Sequence, residues 1–420
     1  MRMAIWLYLF LFVAFFDLHA QYPMLTPFAV SLGAAPSFIG LVMGMYSLTH
    51  LPGNLLAGYG VDRFGSRFFI SASLVGAGVL LLLQSRVTDP WHLLYVRSVS
   101  GFVLAFLSPA CLSLLAKLTR DHIKRGKLMA GNGLVHTIAS VVSPAAGAYL
   151  AAKVGFAQSF ALLGWGLLAT GLLSLWFVRD PKHAADADAP MADAAADGAA
   201  GVASEAALAP DSASVGAPVP AEEAEGTSAG AGSRRFPWAV FLLPVAMAFA
   251  QGILSFELPL RALSAEDGGV LKTGILFSVV SLGALATLGL LFLQRYLPYS
   301  RCIIGVLLLA LAYYGLASDW PVPMMALLFV VGMAKGVVFP AMTSFLLQLS
   351  GPARYGRTFS LMAIASSVGA FLGPVAAGAF RGHLSPFFLS FAILMLALLA
   401  LAPKPVYKEG WHPQPAVPHA

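Results

Sequence analysis

Four ionisable residues, Asp17, Arg97, Glu257 and Lys335, sit inside long apolar runs. A charge at the centre of a bilayer costs roughly 2.5 to 3.5 kcal/mol even on a lenient insertion scale, so each must face protein or water. Two acids and two bases in such places suit proton transfer and charge-selective binding. Asp17 is the natural proton acceptor: Arg97 would stabilise its ionised form, and loss of that partner would favour the protonated one. A standing Asp17–Arg97 ion pair that only holds helices together is the competing reading. On a helix Gln21 lies about 40° from Asp17 and shares its face, whereas His19 lies about 200° away and addresses something else. Glu257, close to Pro259 and Arg261, reads either as a cavity acid or as a solvated rim residue paired with Arg261. Lys335, in "GMAKGVVFP", is deeper, and is expected either to attract an anionic substrate or to pair with Glu257.

His19, His50 and His136 fall near the middles of their own runs. Histidine can titrate near neutral pH or bind a metal, but an interhelical hydrogen bond is the simpler role, and no metal site is assigned. The sequence holds no P-loop, no H-E-x-x-H and no serine-nucleophile motif. No catalytic residue is expected, and the chain does not read as an enzyme.

The elements that must position these side chains are membrane helices. The chain is 59% hydrophobic and 10% charged, with a mean hydropathy of +0.80, far from a soluble domain. Twelve apolar runs are long enough to cross ~30 Å of hydrocarbon: 4–29, 36–60, 67–86, 91–116, 128–152, 156–178, 236–262, 272–293, 301–318, 321–348, 357–380 and 384–402. They do not alternate polar with apolar residues, which excludes barrel strands and gives an all-α fold. With the N-terminus inside, 18 of the 25 Lys and Arg residues fall on the cytoplasmic side, as the positive-inside rule requires. The formal charge of +6 therefore reports topology and inner-leaflet anchoring, not nucleic-acid binding. "LHA" before Gln21 imitates a signal-peptide cleavage site, yet Leu18 is too large for one and apolar sequence resumes at Tyr22. Cys111 and Cys302 lie in or beside spans and imply no disulfide.

Two halves are expected. Residues 1–180 and 236–402 each carry six spans, 181–235 form an acidic linker, and 403–420 form a cytoplasmic tail. Positions 183–233 hold nine acids and no Lys or Arg among Ala, Gly, Pro and Ser, a composition that stays disordered. The halves repeat: "KRGKLMAGNGLVHTIASVVSPAAGA" matches "RYGRTFSLMAIASSVGAFLGPVAAGA", with Gly126 to Pro144 and Gly356 to Pro374 equally spaced. Parallel six-helix repeats of this kind build transporters whose halves rock about a central site.

Between the second and third spans lies "GYGVDRFGSR". It resembles the cytoplasmic signature of the major facilitator superfamily, G-x-L-a-D-r-x-G-r-k, through Gly58, Asp62, Arg63, Gly65 and Arg67; Gly60 and Ser66 depart from it. The glycines suit a tight turn and close helix approach. The resemblance implies that Asp62, Arg63 and Arg67 form a cytoplasmic latch between the halves, and that Asp17, Arg97, Glu257 and Lys335 fall one each on the helices lining the central cavity. "RSVSG", Arg97 to Gly101, is similar to the family's R-x-x-x-G element, associated with proton coupling. "SPAAGA", with Pro144 and Gly147, resembles the G-P-x-x-G-G element of proton-driven exporters, and "GPVAAG" keeps Gly373, Pro374 and Gly378 in the other half; close packing and a kink explain these residues equally well. The expectation is a proton-coupled exporter of a small organic molecule in the plasma (inner) membrane, monomeric, with both termini cytoplasmic. It would use the proton gradient and no bound cofactor. A proton-coupled importer of a nutrient and an exporter of a metal-chelating metabolite are the alternatives.

Overall fold

A computed structural model describes residues 2–119, 122–178, 238–264, 269–288, 296–350 and 355–401. The first half contains α1 (Arg2–Ser31), α2 (Pro36–Phe64), α3 (Ser66–Gln84), α4 (Pro90–Lys117), α5 (His122–Val154) and α6 (Phe156–Phe177). A 3-10 turn, Trp238–Phe241, leads into α7 (Leu242–Ser264). Then follow α8 (Val270–Leu288), α9 (Pro298–Ala317), α10 (Met324–Ser350), α11 (Tyr355–Phe380) and α12 (Pro386–Ala400). The linker expected at 181–235 and the tail at 403–420 lie outside the described residues.

All twelve expected spans are helices, because a helix satisfies its backbone hydrogen bonds within one segment and apolar side chains leave nothing else to pair in lipid. Ten qualify as membrane-crossing by length and composition. Of the other two, α2 is long but carries His50, Asn54 and Arg63, and α12 is strongly apolar with 15 residues. Helix α4 is interrupted by a turn at Ala105 and Phe106, which the hydropathy pattern did not foreshadow. It starts at an Asp89 N-cap, whose carboxylate accepts from Trp91 N at 2.7 Å, with Pro90 at the first position. The α2–α3 turn needs a single residue, Gly65, at φ 86°, a left-handed conformation that glycine takes without a Cβ clash.

The helix contacts obey a two-fold rule. α1 packs on α5 as α7 does on α11, α2 on α4 as α8 on α10, and α3 on α6 as α9 on α12. Between the halves, α2 meets α11 and α5 meets α8.

These two cross-half seams have the same construction. Gly40, one turn into α2, faces the Pro374 carbonyl, where an added Cβ would lie 2.2 Å from the oxygen. Gly274, one turn into α8, faces the Pro144 carbonyl at 2.5 Å on the same measure. Gly378 lies likewise against the Pro36 carbonyl. The seams lie toward the face opposite the α2–α3 turn, so the halves are in backbone contact there. Within each half Gly147 lets α5 touch α1 at Ala20, and Gly373 lets α11 touch α7 at Phe249. The small residues of the helix-5 and helix-11 motifs thus sit at helix crossings, where small side chains allow close approach.

Candidate functional site

A buried polar chain crosses the first half from α1 to α4. The Gln21 amide Nε2 donates to both carboxylate oxygens of Asp17 at 3.0 Å. Its Oε1 accepts from Arg97 Nη1 at 2.9 Å and from Gln84 Nε2 at 3.4 Å. Asp17, Gln21, Gln84 and Arg97 are all buried. Charge dictates the amide's orientation: turned round, its NH2 would face a guanidinium and its oxygen a carboxylate. Asp17 and Arg97 are therefore joined through an amide rather than by the direct ion pair that the sequence alone allows.

Arg97 is placed by α4's crossing over α2. Gly101 lies against the Tyr46 carbonyl, where a Cβ would come within 2.3 Å of the oxygen. One turn away, on the same face, the Arg97 guanidinium stacks 4.6 Å from the Tyr46 ring centroid. Here the R-x-x-x-G spacing amounts to a stacked arginine one turn from a close helix contact. Arg97 is 6% exposed, and its Nε has no hydrogen-bond partner among the described residues. Sequence reasoning missed Gln84 and Tyr46. A search for amides as well as charges in apolar runs would have found Gln84, which ends "LLLLQ".

His19 addresses α5, not Asp17. Its Nδ1 lies 2.7 Å from the Phe15 carbonyl, so that nitrogen carries the proton, and its ring meets His136 edge-on at 5.1 Å. Both His136 ring nitrogens are without a hydrogen-bond partner among the described residues. On α2, Asn54 Nδ2 donates to His50 Nδ1 at 2.8 Å. Among the described residues no three His, Cys, Asp or Glu side chains are grouped to hold a metal ion.

The second half treats its charges differently. Lys335 Nζ donates to Gln251 Oε1, and Gln251 Nε2 donates to Ser255 Oγ at 3.4 Å. A glutamine on the half's first helix thus meets a cation on its fourth, as Gln21 meets Arg97. Glu257 is not a solvated rim residue: it is 4% exposed and accepts Arg381 Nε at 2.9 Å and Nη2 at 3.4 Å, a side-on bidentate pair. Arg261 adds a contact at 3.7 Å and itself donates to the Leu316 carbonyl and to Asp319, both at 3.1 Å. Glu257 pairs with these arginines, not with Lys335, because its position on α7 faces the α11–α12 turn that carries Arg381. Arg381 was not among the residues that the sequence singled out.

On the α2–α3 face, Arg63 Nη1 donates to Tyr59 Oη at 2.8 Å, and its guanidinium lies 5.5 Å from the Phe64 centroid. Arg67 donates to the Leu175 carbonyl of α6. These partners belong to the first half; the Asp62 side chain lies outside the described residues. Gly65 makes the turn, but Gly58 does not serve close approach, since a Cβ there would meet nothing within 4 Å.

The sequence model of the Major Facilitator Superfamily matches residues 7–317 and 302–416. The chain is 25% identical over 148 residues to "Membrane sensor protein UhpC" of Salmonella typhimurium, an alignment covering 35% of this chain and 33% of that protein. The chain therefore spans about a third of the length of that relative. It is 20% identical over 412 residues to "Quinolone resistance protein NorA" of Staphylococcus aureus, covering 94% of each. Among solved structures, a bacterial homolog of the human lysosomal transporter Spinster, inward-facing and occupied, superposes with a TM-score of 0.69 at 15% identity, covering 96% of this chain and 95% of that one. The human organic anion transporter MFSD10 superposes with a TM-score of 0.59 at 18% identity, covering 95% and 99%.

Proposed function

The chain belongs to the Major Facilitator Superfamily, and from that premise we propose that it is a proton-coupled exporter of a small organic molecule. The observation that carries this reading is the buried Asp17–Gln21–Arg97 chain. Ionised Asp17, with both carboxylate oxygens 3.0 Å from Gln21 Nε2, holds the amide in the direction that points its oxygen at Arg97. Protonation removes the anionic half of what fixes the amide, leaving the guanidinium alone to orient it, and so weakens the Gln21 tie between Arg97 and α1. A proton on Asp17 is thereby read by α4, which moves with respect to α1 only if this tie can open. Exchange follows when a substrate group competes with the proton for Asp17.

Alternating access supplies the second requirement. The glycine seams at Gly40 and Gly274 bring the halves together toward one face, and the Lys and Arg distribution makes the α2–α3 face cytoplasmic. The seams then close the outer side, and Asp62, Arg63 and Arg67 latch the inner side in the opposite state. Residues 181–235 connect the two halves in sequence, in a monomer of the inner membrane. The full-length likeness to a quinolone resistance protein supports export over uptake.

Purified protein in proteoliposomes under an imposed pH gradient tests the reading. Asp17→Asn is expected to lose gradient-driven flux of an identified substrate while keeping downhill exchange. Wild-type gradient-driven transport in that variant would remove Asp17 from the coupling.

A further inference from the structure

The Arg97 guanidinium has an edge whose Nε makes no hydrogen bond among the described residues. Nη1 is occupied by Gln21 and the ring face by Tyr46. On the remaining side Nε is fully buried with no hydrogen-bond partner among the described residues, and Gln21 engages Nη1 rather than the neighbouring Nη2. This edge is the one that pairs side-on with a carboxylate, two parallel N–H···O bonds in one plane. The same structure shows that edge filled: Arg381 gives its Nε and Nη2 to the two oxygens of Glu257. Arg97 has the same edge, deeper in the protein and held on two other sides, without the carboxylate.

Leaving a buried charged donor unfilled is costly, and the neighbours do not relieve it. Gln84 Oε1 is itself buried without a partner, and Asp17 is turned to Gln21. We propose that the Arg97 Nε/Nη2 edge is the receptor for a carboxylate on the transported molecule, so that the substrates are carboxylate-bearing organic compounds. Tyr46 and Gln21 hold the guanidinium still, so little ordering remains to be done on binding. A neutral amide loses the charge and one acceptor, and an amine presents donors to donors. Discrimination between isosteres follows from that mismatch.

The inference goes beyond the proton-coupling reading, because it concerns Arg97's ligand and not Asp17's proton. Three isosteres, naphthoate, naphthamide and naphthylmethylamine, are titrated into the detergent-purified full chain, reading thermal stabilisation and tryptophan quenching. Naphthoate is expected to bind at least tenfold more tightly than the other two. Arg97→Gln is expected to erase that preference. Arg97→Lys keeps the charge and a bond to Gln21 but lacks the fork, and is expected to weaken naphthoate about tenfold, which keeps the test decisive if Arg97→Gln does not fold. Equal binding of the three compounds, no binding of naphthoate, or an undiminished preference in Arg97→Lys overturns the proposal. The preference is expected to persist in Asp17→Asn, so failure of the carboxylate site and failure of proton coupling are read separately.

Discussion

Adding one methyl group at Gly40 should prise the α2–α11 seam open. A Cβ at this position would stand 2.2 Å from the Pro374 carbonyl oxygen, and ordinary contact begins at 3.4 Å, so α2 and α11 must part by more than 1 Å or leave their present arrangement. The obstructing atom is backbone, which no side-chain rotation can clear. Overpacking of this kind costs about 1 to 3 kcal/mol, and only in the state with the seam closed. The gain in helix propensity from Gly to Ala is common to both states and cancels. The closed-to-open population ratio should therefore fall roughly five- to 150-fold. Spin labels at Ala35 and His383, both exposed and one in each half on the seam's side, report the change as a distance distribution moving to longer values. Cys111 and Cys302 are buried and are removed first. Gly274→Ala should act in the same direction through Pro144, and Gly58→Ala, with open space around its Cβ, should do nothing. A Gly40→Ala distribution indistinguishable from that of Gly58→Ala would refute the seam as the closing contact.

Two other substitutions follow from the paired charges. Arg381→Gln leaves Glu257 buried with only Arg261 at 3.7 Å; because the Arg381 side chain is one-third exposed, the loss is put below the ~3 kcal/mol of a fully buried pair. A lowered midpoint in thermal unfolding checks it, and Glu257→Gln in the same chain should restore part of the loss. Asp62→Asn is expected to slow transport without abolishing surface expression, measured as flux per molecule at the membrane; unchanged kinetics would count against the latch.

The helices were legible because each is an apolar run that closes its own hydrogen bonds, and the Asp17–Gln21 face followed from periodicity alone. What periodicity cannot give is the rotation of one helix against another. Gln84 on α3, Tyr46 on α2 and Arg381 beyond α11 complete their sites from separate elements, and Arg381 reaches Glu257 across 124 positions of sequence. Glu257, flanked by Pro259 and Arg261, read equally as a cavity acid or a rim residue; its burial depends on a turn that only the packed fold delivers. The glycines divided along the same line. Gly65 was legible as a turn, whereas Gly40 and Gly274 acquire meaning only when the other half's proline carbonyls arrive opposite them.

The carboxylate site and the proton site constrain each other through Gln21. A carboxylate on Arg97 adds negative charge near Asp17, and like charges favour protonation of the nearby acid. A simple anion would therefore bind together with a proton, and the two would travel in the same direction. Exchange needs the opposite sign, in which the substrate drives the proton off. That sign is obtained if the molecule also carries a cationic group that takes the proton's place at Asp17. An exporter working by exchange with Arg97 as its carboxylate receptor should thus prefer amphoteric molecules, acidic at one end and basic at the other. Proton release in weakly buffered detergent solution distinguishes the cases: naphthoate should take up protons on binding, and aminomethyl-naphthoate should release them. Uptake with both compounds would keep the carboxylate site and reverse the coupling to co-transport; no proton movement with either would separate Asp17 from Arg97 altogether.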